Sequence, residues 1–266
     1  MKLHHLLDLA KEHPKTSLLL GGAGLLALVT MADKKGGMMP GVFFPLAPDP
    51  KLPGGIFPKG TTSLTSYLSD AFFKRLGEMG DRFRQKGANV TNEEIMAVLF
   101  VESGGLFPSA INAQSGCVGL NQICGSLTAV GFVGTKSEYR ALLAEDQLPY
   151  VERYYDNRGV HSRIRNLGDF YLVNFSPAFL GQPQEYVMYR KGETVTHPFI
   201  KKPNGDRVEF GPVYYAQNEG IDRDPTKGFI RVGDMAPFIV RNIRGAGPKW
   251  DELRARLLRN TVLPNA

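Results

Sequence analysis

The sequence predicts a mainly α domain of the α+β kind, with a small β-hairpin insertion, preceded by an N-terminal membrane helix. Three observations carry this. Between residues 62 and 260 apolar side chains recur mostly at three- and four-residue steps, which is the helical period. One stretch, 181–212, breaks that rhythm with β-branched and aromatic residues around an Asn204-Gly205 turn signal. A run without any charge, 16–32, precedes both.

Composition sets the outer limits. With 266 residues, 42% hydrophobic and 22% charged, the chain is neither disordered nor collagenous, and it can bury one large core or two small ones. Two cysteines, Cys117 and Cys124, exclude a disulfide-stapled scaffold. The five histidines show no clustered spacing that would complete a zinc site with them. The net charge of +6 is uneven: residues 231–266 hold seven basic side chains against three acidic ones. Such a segment suits a polyanionic neighbour, whether cell wall, anionic membrane or packaged nucleic acid, or it is simply a solvated helix face.

Taken in order, Leu3, Leu6, Leu7 and Ala10 fit a short amphipathic helix ending at Pro14. At 1.5 Å per residue the run 16–32 spans about 26 Å, near the lower limit for a bilayer. We read 1–35 as an amphipathic segment and membrane anchor. A cleaved secretory signal ending at Thr30-Met31-Ala32 and a buried core helix are the alternatives. Lys11 and Lys15 before the run are matched by Lys34 and Lys35 after it, so charge does not orient it. Residues 36–60 hold six prolines and six glycines and form a linker.

From Thr62 the spacing of Leu64, Leu68, Phe72, Leu76, Met79 and Phe83 predicts a helix to about Lys86, stopped at Gly87. Thr91 and Glu94 form a capping box that opens a helix through Glu102. Further helices are expected at 136–145, 149–156, 167–175, 234–243 and 248–260. These assign 61–240 to one domain, with 241–266 as a basic helical tail.

Within the helix opened by Thr91, Ile95, Val98, Leu99 and Glu102 share a face. A carboxyl group at the end of an apolar stripe is desolvated and sits at the negative end of the helix dipole. Both effects disfavour its charged form and suit it to general-acid work near neutral pH. The alternative is that Glu102 turns to solvent or pairs with Arg153, Arg158 or Arg163.

The segment that follows carries a resemblance. Glu102-Ser103-Gly104-Gly105, then Phe107-Pro108-x-Ala110-x-Asn112, then Ser115-Gly116-x-x-Gly119-Leu120-Asn121-Gln122-Ile123 resembles the soluble lytic transglycosylase family, of the lysozyme-like superfamily. The core of the match is about 92–125, with weaker similarity to about 240. The stretches 147–155, 169–181 and 214–235 look like those of phage-encoded peptidoglycan-cleaving domains.

The resemblance implies a lysozyme-like fold and cleavage of the β-1,4 bond between N-acetylmuramic acid and N-acetylglucosamine. It makes Glu102 the acid that protonates the leaving oxygen, then the base that helps the muramyl 6-hydroxyl close on C1, leaving a 1,6-anhydro end without cofactor. It also implies a sugar groove lined by Ser103, Ser115, Gly119, Asn121, Gln122 and Ile123, with Ser115 and Gln122 bonding acetamido groups. Tyr215 and Asn218 fall where the family shows Ala-Tyr-Asn-Ala-Gly, although Gln217 replaces the tyrosine beside the asparagine. Asn121 stands where the family has methionine.

Independently, no Asp or Glu lies between Glu102 and Glu138. A two-carboxylate glycosidase needs its second acid within about 5–10 Å, which here would have to come from Asp156 or Asp169 through folding. Cys117 and Cys124 would lie about 10 Å apart if 118–123 were helical, too far for a disulfide; a bent loop would bring them together. Asp222-x-Asp224-x-Thr226 hints at a calcium loop, but its glycine falls one place late and Gly233 takes the place of the final Glu, so we read it as degenerate.

The expected partners are peptidoglycan strands, a membrane through 16–32 and other virion proteins, with no specific nucleic acid. The expected setting is a virion with an internal membrane, acting in the host envelope or periplasm. A bacterial periplasmic transglycosylase, and a structural or glycan-binding virion protein with an inactive domain, are the rivals.

Overall fold

The computed structural model describes residues 65–261, apart from Gln114, 202–204, Arg223 and Pro225. The expectations for 1–35 and 36–60, anchor and linker, lie outside the described residues. Among the described residues no helix is long and apolar enough to cross a membrane.

The chain is mainly helical. Helix α1 (Asp70–Gln85) begins eight residues later than the spacing predicts, because Ser69 caps it by accepting the Phe72 N–H. Residues before the cap form a separate turn, in which the Thr65 carbonyl accepts from Leu68. The apolar stripe of α1, Phe72, Phe73, Leu76, Met79 and Phe83, is fully buried.

Helix α2 (Asn92–Glu102) starts at the expected capping box, with Thr91 and Glu94 satisfying each other's backbone N–H groups. Its six central residues, Ile95 to Phe100, are all buried. The single apolar face read from spacing is therefore too narrow: α2 is a central helix, packed against α1 and against three helices defined below.

The next two helices differ from expectation. Helix α3 (Lys136–Ala141) ends early, Leu142 and Leu143 are extended, and α4 (Ala144–Asp156) starts before Pro149 instead of at it. Proline at that point lacks the N–H that would bond the Glu145 carbonyl. Arg75 of α1 donates to that carbonyl at 3.2 Å and repairs the gap.

Helix α5 (Leu167–Phe175) has the predicted bounds and all nine of its residues are buried. Beyond it come strands β1 (Val187–Arg190), β2 (Val195–Lys201) and β3 (Arg207–Phe210), then α6 (Pro212–Gln217) and β4 (Phe229–Arg231). The hairpin signalled near Gly205 is β2–β3, antiparallel with Val195 opposite Phe210. A second antiparallel ribbon, β1–β4, was not foreseen: it pairs Arg190 with Phe229, and three residues of β4 are too few to show a period.

Helices α7 (Met235–Gly245) and α8 (Pro248–Thr261) close the domain. Helix α7 packs on α2 and α5, and α8 packs on α1 and α2. The described part of segment 241–266, residues 241–261, is thus no separate tail. Trp250, Leu253 and Leu257 are buried, and two of its arginines pair with other helices, Arg254 with Glu93 at 3.0 Å and Arg256 with Asp70 at 2.7 Å.

Candidate active site

Glu102 is the last residue of α2. The chain then leaves the helix sharply. Ser103 caps it, Gly104 and Gly105 take φ of 67° and 132°, and the buried Leu106 is held at φ 65°. Left-handed backbone at a leucine costs about 1–2 kcal/mol. Packing around Leu106 overcomes that cost, and strain of this kind gathers at functional sites.

The residue keeps slight exposure, but its Oε1 is out of contact with solvent and has no hydrogen-bond partner. Burial pushes the carboxyl group up from 4.5 to about 8, opposed only by a hydrogen bond with Asn174. None of the expected arginine partners neutralises it. Arg153 donates to the Val130 carbonyl, Arg163 to that of Leu180, and Arg158 lies over the Tyr154 ring at 3.5 Å.

Asn174, from α5, belongs to a buried network. Its amide donates to Asn121 Oδ1 at 2.7 Å, and the Tyr155 hydroxyl donates to Asn174 Oδ1 at 3.1 Å. Glu102 in turn acts electrostatically on the hydroxyls of Tyr154, Tyr155 and Tyr171, each of which burial drives upward. Two more buried polar atoms of this group, Asn121 Nδ2 and the Tyr171 hydroxyl, have no partner. Acid, amide and phenol therefore converge from α2, the loop after it, α4 and α5.

The loop that brings Asn121 inward is tied at several points. Cys117 and Cys124 form a disulfide with Cα atoms 3.9 Å apart, which corrects the helical geometry considered for 118–123. The segment instead doubles back, with Val118 bridging both Ile111 and Ile123. Lys136 clamps the closed loop by donating to the carbonyls of Gly116, at 2.6 Å, and Cys124, at 3.3 Å. Gln147 of α4, fully buried, accepts from Leu120 N–H and donates to the carbonyls of Pro108 and Tyr139.

Gly119 is required by this packing. A Cβ there would lie 2.5 Å from the Tyr139 ring and 2.6 Å from Gln147 Oε1, and its φ is +78°. Gln122, held at φ 45°, folds its amide back onto the Gly119 carbonyl at 2.9 Å, and Ile123 is buried. Ser103 is also buried, and its hydroxyl donates to Leu99. Ser115 lies at the start of the loop, its N–H bonded to Asn112 Oδ1. Of these residues, Asn121 is joined to Glu102 through Asn174, while Gly119, Gln122 and Ile123 shape the loop that carries it.

Tyr215 and Asn218 stand elsewhere. The Tyr215 hydroxyl donates to Asp222 at 2.9 Å, and Asn218 caps α6 and donates to the Tyr214 carbonyl. Neither bonds Glu102. The asparagine that bonds the acid is Asn174, with Tyr171 on the same helix within electrostatic reach of Glu102, and the sequence reading missed both. Their spacing of three on one helix, which places them on one face, was the available signal.

The two acids that folding might have delivered are also committed elsewhere. Asp156 accepts from Lys86 at 2.7 Å and from His161 at 2.8 Å, and the buried Asp169 is held by Arg165 at 2.8 Å. Asp222 and Asp224 accept turn-forming bonds from the N–H groups of Asp224 and Thr226. No group of three or more metal-ligating side chains occurs among the described residues.

No family model, curated protein or solved structure matches this chain.

Proposed function

We propose that the domain is a peptidoglycan lytic transglycosylase of lysozyme-like type, with Glu102 as its acid and base. The resemblance of 92–125 motivates the reading. The observation that carries it is Glu102 itself: a carboxyl group on a rigid helix end, held protonated at neutral pH by burial, with no second carboxylate acting on it.

The chemistry follows from that state. Protonated Glu102 gives its proton to the glycosidic oxygen as the C1–O bond breaks, so the N-acetylglucosamine leaves as an alcohol. The resulting carboxylate takes the proton of the muramyl 6-hydroxyl while that oxygen bonds C1. No water is consumed and Glu102 ends as it began. A single group suffices because the nucleophile belongs to the substrate, whereas hydrolysis through two carboxylates would need a partner acid. Asn174 and Tyr155 form the hydrogen-bonded network beside the acid.

The disulfide suits an oxidising compartment such as a periplasm. With the uncharged run 16–32 as anchor, we place the protein in a virion with an internal membrane, acting on the host envelope. The test is release of soluble glycan from purified sacculi by the full-length chain. Glu102→Gln should lower the rate at least about a hundredfold while sacculus binding persists. Equal release by both would remove Glu102 from the reaction.

A further inference from the structure

Lys249 opens α8, and its ammonium group lies over three aromatic rings, 4.5 Å from the centroid of Phe107, 5.2 Å from Tyr67 and 5.6 Å from Phe100. Tyr67 and Phe107 are stacked at 4.8 Å and both keep an exposed part. The tray is fixed to the turn after Glu102: the Tyr67 hydroxyl donates to the Gly105 carbonyl, and a Cβ on Gly105 would fall 2.6 Å from Lys249 Nζ. Trp250, packed edge-on against Phe100 at 5.6 Å, holds α8 in place.

Ring faces attract a cation but satisfy none of its three N–H donors directionally. Among the described residues Lys249 makes no ion pair and no hydrogen bond, whereas Lys86 and Lys136 both do. Half-buried, it is pushed down in pKa by that burial, with no carboxylate to oppose the effect. It also stands in the first turn of a helix, where the dipole disfavours a cation and favours an anion. An arriving carboxylate would meet lysine and helix end together. Three Cα–Cα steps of 3.8 Å put Gly105 within about 11 Å of Glu102, so one ligand can reach both.

We infer that Lys249 and its aromatic tray dock the carboxylates of a peptide stem borne by the glycan, so that the domain favours peptide-bearing strands over bare ones. This rests on the glycan-cleaving reading above.

The experiment is calorimetric titration of the full-length chain carrying Glu102→Gln, so that nothing is turned over. The two probes are peptide-bearing glycan oligomers and the same oligomers stripped of their stems by an amidase. The peptide-bearing probe should bind about tenfold tighter, the worth of one charge-assisted contact. Adding Lys249→Met, which keeps the stem on the rings, should erase that ratio and leave bare-glycan affinity unchanged, and Lys249→Arg should restore part of it. Equal affinity for the two probes, or a ratio that survives Lys249→Met, overturns the docking site while the cleavage reading stands. Binding of neither probe overturns both.

Discussion

The buried acid should write itself into the stability of the domain. Folding raises Glu102 from 4.5 to about 8, so between those values the folded state holds a proton that the unfolded state has released. Stability from this group is whole below pH 4.5 and is lost as pH climbs through about 8. At about 1.4 kcal/mol per pH unit the full loss approaches 5 kcal/mol. Relaxation of the helix end takes up part of it, leaving about 2–4 kcal/mol. Glu102→Gln preserves shape and the contact with Asn174 but cannot ionise. Denaturant unfolding of both chains from pH 4.5 to 9, without reductant, isolates the effect in the difference between them. The wild type should lose stability relative to Glu102→Gln across the range, steadily up to about pH 8 and no further beyond it. A difference independent of pH would mean that Glu102 ionises normally and that the burial argument is wrong.

Glycan release should hold to about pH 8 and fall above it as the acid loses its proton, a limb absent from the residual activity of Glu102→Gln and measurable in a pH–rate profile. Gly119→Ala forces a Cβ into the Tyr139 ring at a left-handed φ, so thermal unfolding should show a loss of at least about 2 kcal/mol and glycan release should collapse with it. An unchanged melting temperature would show that the loop is not packed as described. The disulfide closes a short loop, seven positions apart in sequence, and should stabilise the fold by about 2 kcal/mol. Replacing Cys117 and Cys124 by alanine should remove this amount and its sensitivity to reductant, read by urea unfolding.

What the sequence revealed, and what it hid, divides by the range of the interactions involved. The capping box of α2 and the bounds of α5 were legible because Thr91 with Glu94, and Asn166 with Asp169, are local pairs. The start of α1 was misread because Ser69 interrupts an apolar spacing that continues through the preceding turn. The sequence places a helix start at Pro149, since nothing local shows that Arg75 caps the exposed carbonyl. Strand β4 and the ion pairs of Arg254 and Arg256 depend on partners far along the chain. At the site, Glu102 was visible from its place at the end of an apolar helix. Asn174 and Tyr171 were not, because they become neighbours of Glu102 only when α5 packs against α2. A looser match to a family pattern drew attention to Tyr215 and Asn218 instead, whose side chains fold onto Asp222 and the Tyr214 carbonyl respectively.

The most direct test of the central claim is mass spectrometry of the soluble fragments that the full-length chain releases from purified peptidoglycan. A reaction run by Glu102 alone predicts muramyl ends one water lighter than reducing ends, and none from Glu102→Gln. Fragments with ordinary reducing ends would contradict the account, because they require a water nucleophile and a second catalytic group, and among the described residues no second carboxylate acts on Glu102.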